Sequence, residues 1–137
     1  MAHSESHRSD VAPKRILIAD DNAVVRAVVR TLIETKLGLE VCGEAVDGLD
    51  VIQQAKDLKP DVVLLDFRMP ILTGIEAAPI IKGAYPHVRI VLFTMYENEI
   101  SKAMARGAYI DLVVSKPDGL NTLLESIQDL MEPGRHV

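Results

Sequence analysis

A chain of 137 residues that is 48% hydrophobic and 26% charged has room for one domain with its own core. Its net charge of −5 disfavours a surface built for nucleic acid or for an anionic membrane, both of which need a basic face. The single cysteine, Cys42, excludes an intrachain disulfide and suits a reducing cytoplasm, and no apolar stretch approaches the ~18 residues that span a bilayer.

Residues 1–13 are small, polar and charged, so they predict a flexible tail, and they contain no apolar segment of the secretory kind. His3 and His7 read as solvated tail residues. The apolar run 16–19 predicts a strand, closed by Asp20 and Asp21. Asn22 suits the cap of a helix reaching about residue 37, with Gly38 as its left-handed stop. Alternation over 40–45 predicts a shorter strand. Asp47 opens a helix ending near residue 59, since Pro60 cannot continue it. The unbroken apolar run 62–65 fits a strand buried on both faces, and Asp66 closes it. Beyond a loop punctuated by Pro70 and Gly74, a helix is expected over 75–84, with a kink or a late start at Pro79. A strand over 88–93 is closed by Thr94, and 97–106 reads as a helix. The fifth strand, 112–114, precedes Lys116 and Pro117. From Gly119 onward Leu120, Leu123, Leu124, Ile127 and Leu130 recur at helical spacing, with Asp118 as candidate cap. Residues 133–137 are a short tail, and the EPGRHV after residue 131 is too short for a helix-turn-helix domain.

Five βα units predict an α/β domain with a doubly wound five-stranded parallel sheet and helices on both faces. The expected strand order is the flavodoxin-like 2-1-3-4-5, which sets the carboxyl ends of strands 1 and 3 side by side at the switch point. Asp20, Asp21 and Asp66 then meet in one crevice, where they repel each other unless a cation lies among them. A hard divalent ion such as Mg²⁺ suits a few carboxylate oxygens and several waters, and a carboxylate beside it is a nucleophile toward phosphorus. Each acid has a plainer explanation: paired acids complement a helix N-terminus, and polar residues commonly end strands. Capping does not explain acids ending strands 1 and 3, a hydroxyl ending strand 4 and a lysine following strand 5. His3, His7, His87 and His136 show no ligand pattern with the acids, so zinc is not expected.

The ordered set Asp20-Asp21, Asp66 within LLDFRMP, Thr94, and Lys116-Pro117 resembles the receiver domain of two-component response regulators. The resemblance covers roughly residues 14–131, with the domain set at 14–132. It implies that Asp66 accepts a phosphoryl group from a phosphohistidine on a histidine kinase or histidine phosphotransfer protein. It further implies Mg²⁺ on Asp20, Asp21, Asp66 and the backbone carbonyl of Arg68, with Thr94 and Lys116 on the phosphoryl oxygens. A cis Lys116–Pro117 bond aiming the ammonium at the site belongs to the same pattern. So do a cytoplasmic location, an unknown downstream protein partner, and no activity beyond helping its own phosphorylation and dephosphorylation. One departure concerns read-out: an aromatic often lies three residues before the strand-5 lysine, and here that place holds Val113. The segment Met95 to Glu99 is therefore expected to reshape on activation. In the first helix, Val25, Val29, Leu32 and the stem of Lys36 are expected to meet the sheet, leaving Val24, Ala27 and Val28 as a small docking stripe.

Three other readings stay open. The local sequence looks like receivers attached to helix-turn-helix output domains, so the chain could be the receiver piece of a DNA-binding transcriptional regulator. A phosphatase of the haloacid dehalogenase class would need a second aspartate where Arg68 stands. A flavodoxin-like carrier would need a phosphate loop where Asp20, Asp21 and Asn22 stand.

Overall fold

The computed structural model describes residues 14–131; the tails expected at 1–13 and 133–137, with His3, His7 and His136, lie outside the described residues. Five strands form one parallel sheet, β1 (Arg15–Ala19), β2 (Glu40–Ala45), β3 (Val62–Leu65), β4 (Arg89–Thr94) and β5 (Leu112–Ser115). Their order is β2-β1-β3-β4-β5, the flavodoxin-like order expected for a doubly wound sheet. The crossovers are α1 (Ala23–Leu32), α2 (Gly48–Leu58), α3 (Gly74–Ala84) and α4 (Lys102–Gly107), and α5 (Leu120–Met131) follows the last strand.

Alternate residues of the strands feed two cores, because successive side chains point to opposite faces. Leu17, Ala19, Val63, Leu65, Ile90 and Leu92 pack with Val51 and Ala55 of α2 and with Ala77, Ala78 and Ile81 of α3. Ile16, Ile18, Val62, Leu64, Val91 and Phe93 pack with Val29 of α1 and with Leu123 and Ile127 of α5. All four residues of β3 are buried, which is why that segment reads as an unbroken apolar run.

Helix starts follow local chemistry. Asn22 accepts from the amides of Val24 and Val25, and Asp47 accepts from Asp50. Thr73 and Glu76 form a reciprocal capping box at α3, a signal that sequence reading passed over in favour of Gly74. α3 begins before Pro79 and runs past it, so the late start does not occur. α1 passes into a π-helical turn, Ile33–Leu37, and stops at Gly38 with φ 66°, the left-handed conformation glycine adopts at no steric cost.

Two expectations fail locally. The helix expected over 97–106 is split into a 3₁₀ turn, Glu97–Glu99, and the short α4. Between them Ile100 is extended and packs against the α2/α3-side core, and the Ser101 hydroxyl caps the new helix at the Met104 amide. Burial of one apolar residue together with a fresh cap outweighs helical continuity. Asp118 does not cap α5: it lies in the 3₁₀ turn Lys116–Asp118 and offers only its carbonyl, to the Thr122 hydroxyl. Among the described residues no helix is long and apolar enough to cross a membrane.

Candidate functional site

The carboxyl ends of β1 and β3 are adjacent because Ala19 and Leu65 are register partners. The next residues are Asp20 and Asp66, and the Asp66 amide donates to the Ala19 carbonyl at 3.0 Å. On the other side Thr94 and Ser115 are partners at the ends of β4 and β5, which brings Lys116 over the same crevice. Asp20, Asp66 and Thr94 are buried, whereas Asp21 is exposed at the rim. Carboxylate oxygens of Asp20, Asp21 and Asp66 all lie within 4.8 Å of one another. Thus the predicted residues Asp20, Asp21, Asp66, Thr94 and Lys116 converge.

Lys116 is the cation that holds the acids together. Its Nζ lies 2.8 Å from Asp20 Oδ2 and 3.5 Å from Asp66 Oδ2, and sits over the Phe93 ring at 5.7 Å. The lysine reaches the crevice with a trans bond to Pro117, since no described peptide bond is cis; the cis bond that the resemblance implied is not present. Strand register and the turn after Ser115 suffice to aim the ammonium.

The remaining oxygens are unevenly served. Asp20 Oδ1 accepts from the Asn22 amide at 2.8 Å. Asp66 Oδ1 is buried and has no hydrogen-bond partner among the described residues. Burial pushes the Asp66 carboxyl above its ordinary range; Lys116 pulls it down and the neighbouring Asp20 pushes it up again. A buried, unpartnered carboxylate oxygen in a native fold calls for an explanation, and here the hard oxygen donors around it fit a divalent cation.

The loop after β3 is held tightly against the site. The Gly74 amide donates to the Phe67 carbonyl at 2.8 Å, and a Cβ on Gly74 would fall 2.5 Å from the Asp66 carbonyl oxygen, so only glycine fits there. Arg68, two residues past Asp66, points its guanidinium over the Tyr96 ring at 4.4 Å and pairs with Glu99. The Thr94 hydroxyl accepts from the Tyr96 amide at 3.0 Å. The two Arg68 contacts tie the loop after β3 to the segment after β4, a link that sequence reading missed because the partners are 28 or more residues apart. Cys42 plays no part: it is half-buried against the sheet, and burial raises its thiol pKa.

A doubly wound parallel sheet whose switch-point crevice gathers three carboxylates, a strand-end hydroxyl and a lysine defines a class of domain suited to phosphoryl chemistry at an aspartate. The chain belongs to the response regulator receiver domain family, whose model matches residues 16–128. It is 31% identical over 118 residues to the response regulator protein VraR of Staphylococcus saprophyticus, covering 85% of this chain and 56% of that protein. It is 45% identical over 85 residues to the uncharacterised transcriptional regulatory protein YxjL of Bacillus subtilis, covering 62% of this chain and 39% of that protein. Among solved structures, a LuxR-family two-component response regulator from Aurantimonas superposes with a TM-score of 0.78 at 30% identity, covering 87% of this chain and 85% of that one. The chain therefore spans about half or less of the length of these curated relatives.

Proposed function

We propose that this receiver is a phosphoacceptor switch in which Asp66 takes a phosphoryl group from a phosphohistidine on a histidine kinase or histidine phosphotransfer protein. The observation that carries the reading is the unpartnered, buried Asp66 Oδ1 beside two further acids and Lys116. One Asp66 oxygen forms the new bond to phosphorus while the phosphorus–nitrogen bond breaks, its electron pair staying on the leaving imidazole, and the other oxygen remains available to the metal ion. Mg²⁺ held by Asp20, Asp21, Asp66 and the Arg68 carbonyl would offset charge on the phosphoryl oxygens. Lys116 shifts from the carboxylates toward those oxygens, and the Thr94 hydroxyl donates to another. This is positioning with electrostatic stabilisation. Residues 14–132 form the switching unit, which acts in the cytoplasm on a downstream protein and does not itself bind nucleic acid or membrane.

Intact mass after incubation with Mg²⁺ and a small phosphodonor tests the reading. Wild-type protein should gain one phosphoryl group and Asp66→Asn none; phosphorylation of the Asn variant at another residue would remove Asp66 from the role. A second reading, in which this receiver forms part of a longer transcriptional regulator, is favoured by the partial coverage of the relatives. The coding sequence around this segment decides it.

A further inference from the structure

Asp21 is the one acid of the crevice whose side chain has no hydrogen-bond or ion-pair partner among the described residues. It stands exposed at the rim, yet its oxygen falls into the 4.8 Å cluster. Its backbone accounts for that placement. The peptide unit before it is pinned through the Asp20 carbonyl, which accepts from Arg26 Nη1 at 2.6 Å. The peptide unit after it is pinned through the Asn22 amide, which donates to Asp20 Oδ1 at 2.8 Å. With both flanking units fixed, the Cα–Cβ bond of Asp21 has one direction.

Arg26 itself is locked. It lies in the opening turns of α1, its Nε donates to Glu44 Oε1 at 2.9 Å, and its side chain is only 15% exposed. Glu44 sits at the carboxyl end of β2, opposite Ile18 in register, and its other oxygen accepts from Arg30 Nη1 at 2.7 Å. Arg30 first, with Arg26 adding to it against the opposing effect of burial, holds the Glu44 carboxyl below the usual range. The glutamate is thus an anion that both fixes the guanidinium and balances its charge. An unbalanced cation this close to the acid crevice would oppose a metal ion there.

We infer that Arg26, braced by Glu44, is a positioning residue that holds Asp21 in place to bind the divalent cation. The inference rests on the phosphoacceptor reading and adds to it a role for a side chain outside the crevice. A guanidinium fork can serve a carbonyl and a carboxylate at once, and an ammonium of equal charge lacks that geometry. Arg26→Lys therefore separates positioning from charge.

The experiment is an NMR titration with Mg²⁺ on wild-type protein, Arg26→Lys, Arg26→Met and, as control, Lys82→Met, with thermal melts in parallel. Arg26→Lys should shift the Asp21 and Asn22 amides before any Mg²⁺ is added and raise the Kd for Mg²⁺ roughly tenfold, the scale of an outer-shell contact. Arg26→Met should act in the same direction, although removing a positive charge beside the crevice would by itself tighten Mg²⁺ binding. Lys82→Met, which breaks the ion pair with Asp111 and leaves Arg26 and Glu44 in place, should lower the melting temperature and leave the Kd at its wild-type value. If Arg26→Lys fails to fold, Arg26→Met carries the test alone. Wild-type or tighter affinity in the folded Arg26 variants, or an equal loss in Lys82→Met, overturns the positioning role. Wild-type protein that binds no Mg²⁺ would instead bring down the phosphoacceptor reading beneath it.

Discussion

At the scale of single residues the site is a balance of charge against burial. Asp66 is nearly buried, and burial is the main reason its carboxyl holds its proton above the ordinary range. The folded state therefore binds that proton more tightly than the unfolded chain. The stability this confers is fully present below the unfolded pKa, roughly 3.9, and is lost as pH rises through the higher folded value. At neutral pH the ionised acid is a cost. In Mg²⁺-free buffer at pH 7 Asp66→Asn should melt above wild type, and the gap should narrow as pH falls through the folded value; a variant melting below wild type at pH 7 contradicts this. The other two acids differ in what holds them. Both Asp20 oxygens are engaged, by the Asn22 amide and Lys116, while Asp21 is unencumbered. Asp21→Asn should thus weaken Mg²⁺ binding, followed by NMR, more than Asp20→Asn, and the reverse ranking would disprove the assignment.

Single elements decide what meets solvent. On α1, Val29 is buried and Val25 and Leu32 pack beside it, as the helical spacing predicted, but Lys36 is exposed and Ile33 is buried instead, because the π-helical turn over Ile33–Leu37 changes the spacing. Val24 is 72% and Val28 42% exposed, and Ala27, Val28, Thr31 and Leu32 line a shallow groove. That stripe adjoins the acid crevice through Asn22 and is the expected docking face for the phosphodonor protein. Val24→Asp should slow phosphotransfer from the kinase about tenfold, the kinetic equivalent of ~1.4 kcal/mol, without changing labelling by a small donor. Equal rates from the kinase before and after the substitution would remove α1 from the docking surface.

At the scale of the whole molecule, two cores lock the sheet between its helices, and the segment after β4 is an exposed part of the crevice wall. Met95 is 61% exposed, and the segment is held by the Tyr96 amide on Thr94, the Tyr96 ring under Arg68, and Glu99 on Arg68. In the proposed mechanism the Thr94 hydroxyl would turn to a phosphoryl oxygen, the first of these contacts would be lost, and no large ring at Val113 would fill the space. A phosphoryl mimic with Mg²⁺ should therefore move backbone NMR resonances from Met95 through Met104. Shifts confined to the surroundings of Asp20, Asp66 and Lys116 would show that the switch does not reach α4. Such a change would bias a two-state surface in the manner of other phosphorylation switches.

What the amino-acid sequence determined by itself is the five strands, most of the helices and the caps at Asn22 and Asp47. Largely apolar runs of three to six residues, each followed by a polar residue, marked four strands, alternation over 40–45 marked the other, and the helical spacing of Val25, Val29 and Leu32 marked the inner face of α1. These signals are local, set by side-chain periodicity and by Asn22 and Asp47 satisfying nearby amides. The convergence of Asp20, Asp21, Asp66, Thr94 and Lys116 was legible because parallel strands must end on one edge. Tertiary structure decided the rest. Ile100 broke the expected helix because its burial in the core outweighed helical continuity. Lys116 met the acids without the cis bond, since the β4/β5 register already placed it. The Arg26–Glu44 brace and the Arg68–Tyr96–Glu99 contacts join residues 18 to 31 positions apart, and no periodicity encodes which long side chains meet once the sheet has brought them together.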